Sequence, residues 1–203
     1  MRRYALYFGA ALFAFSATAN AATILFNTDP FAGATLTPGR DIVGGEPFIT
    51  FNIATDVFAF DPAFFNVNQI LFANDVSTNL PTSGINTIVL QNGPPLAAGT
   101  AANAIAAQIT SPGAGFFIYF NSGLDLPRLV YSTNLDDNTA DLKILARMTN
   151  LGGDPGRAQL PNFTASNFEI VPEPSTFVLT AAAGAIWAVG YAVRTARRRK
   201  VRG

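Results

Sequence analysis

The stretch Phe116-Phe117-Ile118-Tyr119-Phe120 decides the fold of this chain, because it is an unbroken apolar and aromatic run. Such a run predicts a central strand that is buried on both faces. Other short β-prone runs, separated by turn residues, lie at 23–26, 48–53, 67–72, 87–90, 128–132, 142–147 and 167–170. This series predicts a mainly β fold, namely an antiparallel β-sandwich or jelly-roll-like single domain.

Two further segments complete the predicted domain. Residues 29–47 are rich in Gly and Pro and predict a long loop. Residues 97–108 are mostly Ala and predict one short helix, whose length Pro95 and Pro112 limit.

The segment 22–170 has the size and composition of one folded domain. It contains 14 of the 18 Phe residues of the chain, an apolar load that a disordered stalk would not carry. It has 5 cationic and 12 acidic residues, a net charge of −7, although the whole chain is neutral. An acidic domain of this kind disfavours nucleic acid as a partner, because phosphate needs a basic surface.

The chain contains no Cys and no His. Disulfides, Cys and Ser-His nucleophilic catalysis, His general-base chemistry and His-ligated zinc are therefore excluded. Paired carboxylates are the enzymatic candidates that the sequence offers.

The N-terminal residues 1–21 have the pattern of a secretory signal peptide. A short basic segment, Met1-Arg2-Arg3-Tyr4, precedes an apolar run and then the small residues of 17–21. We predict cleavage after Ala21, with Ala19 as the alternative. A retained N-terminal anchor is disfavoured because the apolar run is short.

The C-terminus combines three features in a fixed order. Val171-Pro172-Glu173-Pro174-Ser175-Thr176 is followed by an uncharged apolar run at 177–193. As a helix, this run would be roughly 25 Å long, which predicts a single transmembrane segment. The basic residues that follow predict a cytoplasmic stop at 194–203, which places the domain outside. These basic residues are Arg194, Arg197, Arg198, Arg199, Lys200 and Arg202.

The motif at 171–176, the single span and the basic tail together resemble the PEP-CTERM sorting signal of Gram-negative bacteria. The resemblance covers only about the last thirty residues. It implies that an exosortase-like membrane enzyme recognises Val171, Pro172, Glu173 and Pro174 and separates the domain from its tail. It also implies an association with extracellular polysaccharide and biofilm.

The chemistry of the motif agrees with such a role. Pro172 and Pro174 lack backbone donors and bias Val171 and Glu173 toward extended geometry. This predicts an extended peptide just outside the bilayer, suited to the cleft of a processing enzyme. A plain Pro-rich linker is the alternative for the local sequence.

The segment 134–141 gathers the carboxylates Asp136, Asp137 and Asp141. Oxygen donors at this density are a possible calcium site, the only cofactor that the sequence suggests. The EF-hand order of ligands is absent, and a solvated loop is the alternative.

We therefore expect a non-enzymatic exported protein, tethered in the inner membrane as a precursor and then released to the cell surface or the extracellular matrix. One alternative is a secreted carbohydrate-active enzyme, with Asp56 and Asp61, or Asp136 and Asp141, as the paired acids. Another alternative is a permanently membrane-anchored binding domain whose tail is never cut.

Overall fold

The structure is a computed structural model, and it describes residues 21–171. Within these residues the chain forms ten strands, three short α-helices and four 3-10 turns. The strands are β1 (Thr23–Phe26), β2 (Ile42–Val43), β3 (Phe48–Ile49), β4 (Val57–Phe60), β5 (Phe72–Asp75), β6 (Thr87–Leu90), β7 (Gly115–Asn121), β8 (Leu126–Ser132), β9 (Leu142–Met148) and β10 (Phe168–Ile170). The α-helices are α1 (Pro62–Phe65), α2 (Ala98–Ala106) and α3 (Gly153–Arg157), and the 3-10 turns are Ser77–Asn79, Thr149–Leu151, Leu160–Asn162 and Ala165–Asn167.

The larger sheet has seven strands. Its order is β2-β9-β8-β7-β6-β5, and β3 pairs with β9 beside β2. The strand β7 is buried along its whole length, as predicted from its apolar run. Successive side chains of β7 enter different cores: Phe116, Ile118 and Phe120 lie on one face of the sheet, and Phe117 and Tyr119 lie on the other.

The smaller sheet has three strands in the order β1-β4-β10, and both of its ladders are parallel. Its central strand β4 was not predicted from the sequence. The strand is only the four residues Val57–Phe60, set between Asp56 and Asp61, and so short an apolar run has no clear period.

The two sheets face each other across an aromatic core. Phe58, Phe60 and Phe168 of the small sheet lie in one apolar cluster with Phe116 and Tyr131 of the large sheet. Burying a large apolar side chain contributes about 1.5–3 kcal/mol, and an aromatic pair adds about 0.5–1.5 kcal/mol. The opposite face of the large sheet is covered by α2.

The mainly β prediction is confirmed, but the antiparallel prediction is wrong for most pairings. Among the described residues, only β7–β8 and β8–β9 pair in the antiparallel sense. The other six ladders are parallel. A jelly-roll connectivity is accordingly not confirmed. Strand direction is set by the crossover segments and the packing of the sheets, neither of which a local apolar pattern reports.

Several element bounds also differ from the predictions. The predicted strand at 67–72 overlaps β5 only at Phe72, and the predicted strand at 48–53 is reduced to Phe48–Ile49. The predicted loop at 29–47 contains the short strand β2. The strands β2 and β3 each pair with β9, about a hundred residues further along the chain, so tertiary pairing sets their bounds.

The predicted helix at 97–108 is confirmed as α2, and two shorter helices accompany it. In α1, the Asp61 side chain accepts a hydrogen bond from the Ala63 backbone N–H, and Pro62 lies in the first turn. These are ordinary helix-start signals, which were missed because the helix has only four residues.

Among residues 21–171, no helix is both long enough and apolar enough to cross a membrane. The signal peptide predicted over 1–21 lies outside the described residues apart from Ala21. The span predicted at 177–193 and the basic stop at 194–203 lie wholly outside them.

Candidate functional site

The chain leaves the small sheet at the first residue of the predicted sorting motif. The last strand, β10, ends at Ile170, and the Val171 backbone N–H donates to the Phe60 carbonyl oxygen at 2.9 Å. Val171 is half-buried. The other residues of the motif, Pro172, Glu173 and Pro174, lie outside the described residues, as do Arg194, Arg197, Arg198, Arg199 and Lys200.

The chain enters the same sheet at the opposite end. The Val57 backbone N–H donates to the Ala22 carbonyl oxygen at 2.9 Å, beside the start of β1. Because β1, β4 and β10 are parallel, the starts of β1 and β10 lie together, away from Val171. The strand register places Ala22 opposite Asp56 and Val171 opposite Asp61, so at about 3.3 Å per residue the entry and exit points are roughly 16 Å apart along the sheet. The two predicted processing positions are therefore at opposite ends of the small sheet.

A buried carboxylate, Asp56, lies at the entry point. Its Oδ1 accepts from the Ala22 backbone N–H at 3.0 Å and from the Thr55 hydroxyl at 3.0 Å, and its Oδ2 accepts from the Asn52 N–H at 2.9 Å. Burial alone would raise the pKa of Asp56, but the hydrogen bonds from Asn52, Ala22 and Thr55 outweigh it and leave the pKa below its ordinary value. Asp56 is thus held as a carboxylate that organises the backbone around it.

The pair Asp56 and Asp61 does not have the geometry of a glycoside hydrolase. These residues flank β4 at its two ends, so their Cα atoms are roughly 16 Å apart along an extended strand. Paired catalytic acids in such enzymes lie about 5–9.5 Å apart. In addition, Asp61 is engaged in capping α1.

The acidic segment 134–141 forms the connection between β8 and β9. Asp136 and Asp137 line an open depression of about 400 Å³ beside α2. Asp137 Oδ1 accepts from the Thr139 hydroxyl and the Thr139 backbone N–H, both at 2.7 Å. These bonds, chiefly the one from the hydroxyl, place the pKa of Asp137 below its ordinary value, and the charge of Arg40 contributes. The Asp137 carboxylate is therefore occupied within its own loop.

Asp141 is also engaged by the protein, because its Oδ1 accepts from the Asp41 backbone N–H at 2.9 Å. Within residues 21–171, no three acidic side chains lie close enough together to form a metal site. The structure therefore does not bring Asp136, Asp137 and Asp141 together as one ligand set, and calcium binding stays a prediction.

A buried ionic cluster, formed by Glu46, Arg128 and Arg147, was not found from the sequence. The Glu46 side chain is only 1% exposed, and its Oε1 accepts from Arg147 Nε and lies 3.6 Å from Arg128 Nη2. Within the described part of the chain, Glu46 Oε2 and Arg128 Nε have no hydrogen-bond partner. Glu46 precedes Arg128 and Arg147 by about eighty and about a hundred residues, so no local pattern links the three.

An aromatic ring covers the outside of this ionic cluster. The Arg147 guanidinium lies over the Phe48 ring at 4.7 Å from its centroid, and Phe48 is 62% exposed. Arg128 Nη1 also lies 3.4 Å from the Tyr119 hydroxyl. The cluster thus attaches the edge strand β3 to β9 and presents one exposed aromatic ring beside a cation.

No protein-family model matches the chain, and neither a curated protein nor a solved structure matches it. The function is therefore inferred from the residues and from the geometry of the described domain. The two ends of the small sheet and the surface around Phe48 are the features that bear on it.

Proposed function

We propose that this chain is a non-enzymatic protein that is exported, sorted through its C-terminal PEP-CTERM-like signal and delivered to the cell surface or the extracellular matrix. The observation that carries this proposal is the position of Val171. The last strand of the domain ends immediately before the motif Val171-Pro172-Glu173-Pro174. The signal therefore begins where the hydrogen-bonded sheet ends.

Processing near the motif would leave the core of the domain complete. The buried and partly buried residues of the aromatic cluster lie between Ile24 and Ile170. Beyond Val171, Pro172 has no backbone N–H to donate, so it cannot extend the donor pattern of β10. A cut on the C-terminal side of Val171 removes none of these core residues.

The scaffold proposed for the exported part is a β-sandwich, with the small sheet covering one face of the large one. The segment 22–170 carries a net charge of −7, and Phe48 beside Arg147 offers an exposed aromatic ring next to a cation. We propose extracellular polysaccharide as the partner, an exosortase-like enzyme as the processing factor and the inner membrane as a tether during transit.

The sorting role is tested by replacing Glu173 and Pro174 with Ala in the full chain, expressed in a host that has an exosortase-like enzyme. We expect the wild type to be released with a C-terminus near the motif, as measured by mass spectrometry of the intact protein. The variant should stay in the membrane fraction with its tail attached.

Glu169→Ala is the matched control, because Glu169 is exposed on β10 and lies outside the motif. This control should be released like the wild type. Release of the Glu173→Ala, Pro174→Ala variant at the wild-type size would contradict the sorting role. A wild-type protein that keeps its tail would support the alternative of a permanently anchored domain.

A further inference from the structure

The Ala22 nitrogen is bonded to a carboxylate that has no cationic partner among the described side chains. Asp56 is 6% exposed, and its three donors, Ala22 N–H, Asn52 N–H and the Thr55 hydroxyl, are all neutral. Within residues 21–171, no Lys or Arg forms a salt bridge with Asp56. The three neutral donors offset the cost of burying the carboxylate but leave its negative charge without a counter-ion, so a cation placed beside it would be favourable.

In the part of the chain that the structure describes, no titratable side chain bonds to the Asp56 carboxylate. Asn167 of the adjoining 3-10 turn donates to the Asp56 backbone carbonyl oxygen at 3.0 Å and is neutral. The other acidic groups at the small sheet are Glu169, which lies on β10 opposite Ala59 of β4, and Asp61, at the far end of β4. Both carry the wrong charge to serve as a partner.

We propose that the bond between Ala21 and Ala22 is the processing site of the signal peptide, and that the new α-ammonium of Ala22 forms an ion pair with Asp56. Hydrolysis adds water across this bond, so Ala21 leaves with a carboxylate and the Ala22 nitrogen takes up a proton. The inference rests on the proposed export, because removal of the signal peptide creates the amine. It assigns both the bond that is cut and the group that receives the new charge.

The geometry distinguishes this bond from the alternative after Ala19. Cleavage after Ala21 converts the nitrogen already 3.0 Å from Asp56 Oδ1 into a cation. Cleavage after Ala19 would place the charge on Asn20, about 7 Å further along an extended chain, and would leave Ala22 as a neutral amide. Only the first cut gives this hydrogen bond a charged donor as well as a charged acceptor, which converts it into an ion pair.

The ion pair would fix an edge strand. Among the described strands, β1 pairs only with β4, and the hydrogen bonds of Ala22 to Asp56 and Val57 lie at the start of that ladder. A cation on Ala22 strengthens the contact that holds the first residues of β1 in place. Removal of the signal peptide thus also stabilises the small sheet at the start of β1.

The N-terminus of the exported protein is the first measurement, by mass spectrometry of the intact protein and of its N-terminal peptide. We expect Ala22 as the first residue. A first residue of Asn20 would overturn this inference while leaving export intact. A chain that retains residues 1–21 would overturn both.

The second measurement is the pKa of the Ala22 amine in the exported protein, taken from the pH dependence of its acetylation rate. We expect the pKa to lie above the ordinary α-amino range of about 7.7–8.0 in the folded protein and to return to that range in urea. A rise of about one unit in the pKa of this amine lowers its acetylation rate at pH 8 roughly fourfold.

Asp56→Asn should restore the ordinary pKa of the Ala22 amine and its faster acetylation. Glu169→Gln should change neither, because this substitution removes a charge from the same sheet at a residue that does not contact Ala22. The comparison of folded and urea-unfolded wild type keeps the test valid even if Asp56→Asn does not fold. Equal amine pKa values in the folded and unfolded wild type would overturn the ion pair.

Discussion

The rings of Phe60 and Phe116 are stacked with their centroids 3.7 Å apart, and this contact joins the centre of the small sheet to the centre of the large one. Both side chains are fully buried. Phe65 completes the group, with its ring centroid 5.7 Å from that of Phe60 and 5.5 Å from that of Phe116. The two sheets are therefore held together by aromatic side chains from strands distant in sequence.

Replacing Phe60 with Ala should destabilise the protein by about 3–5 kcal/mol, because it removes buried apolar surface and leaves a cavity between the sheets. The free energy of unfolding from urea titrations measures this effect. Phe64→Ala is the control, since Phe64 is 41% exposed in the neighbouring helix α1. Equal losses for the two variants would argue against the stacked contact as the centre of the core.

Replacing Glu46 with Gln should cost about 1–3 kcal/mol, because it leaves the guanidinium groups of Arg128 and Arg147 without their buried counter-charge. Glu169→Gln removes an exposed carboxylate and should change the free energy of unfolding by less than about 0.5 kcal/mol. A Glu46→Gln variant as stable as this control would show that the ionic cluster contributes nothing to stability.

Burial, with a smaller contribution from the charge of Asp29, raises the pKa of Tyr131 to about 12. The unfolded chain ionises its tyrosines near pH 10, so the unfolded state loses this proton first. The stability that depends on neutral Tyr131 is complete below about pH 10 and is lost between about pH 10 and pH 12. Tyr131→Phe should reduce the alkaline loss in a urea titration series, and an unchanged alkaline slope would contradict the assignment.

Calcium should not raise the melting temperature at about 1 mM, a concentration that matches the weakest dissociation constants of extracellular calcium sites. The reason is that Asp137 and Asp141 already accept hydrogen bonds from the protein. Thermal unfolding with and without calcium, on the wild type and on Asp136→Asn, checks this. A rise in the wild type that the variant lacks would restore the predicted calcium site.

The processed protein should have an isoelectric point well below the value of about 6.2 for the whole chain. Processing at both ends removes 8 of the 13 cations and leaves an acidic domain. Isoelectric focusing of the secreted material measures this. A value above about 6 would mean that the basic terminal segments are still attached.

The local sequence pattern was enough to predict the buried strand β7 and the helix α2. An unbroken aromatic run and an Ala-rich segment depend on burial and on backbone propensity, which neighbouring residues largely set. The ladders beside β7 illustrate the opposite case. Whether β6 or β8 runs parallel or antiparallel to it depends on the path of the chain between them.

For the polar sites too, the sequence shows the composition, whereas the tertiary structure decides which groups are bonded to each other. The oxygen-rich composition of 134–141 is plain from the sequence, but the bonds from Thr139 and Asp41 that occupy its carboxylates are not. Glu46 meets Arg128 and Arg147 only after β3 has paired with β9. Asp56 becomes a buried acceptor for Ala22 only after β1 has paired with β4.

The order of residues along the chain was enough to assign an acidic, Phe-rich β domain without Cys or His chemistry, and to predict export signals on both sides of it. These properties depend on composition and on short contiguous motifs. Three-dimensional packing was needed for the parallel small sheet, for the ionic cluster and for the contact between Ala22 and Asp56. Each of these joins residues about thirty to a hundred positions apart, and chain folding alone brings such residues within bonding distance.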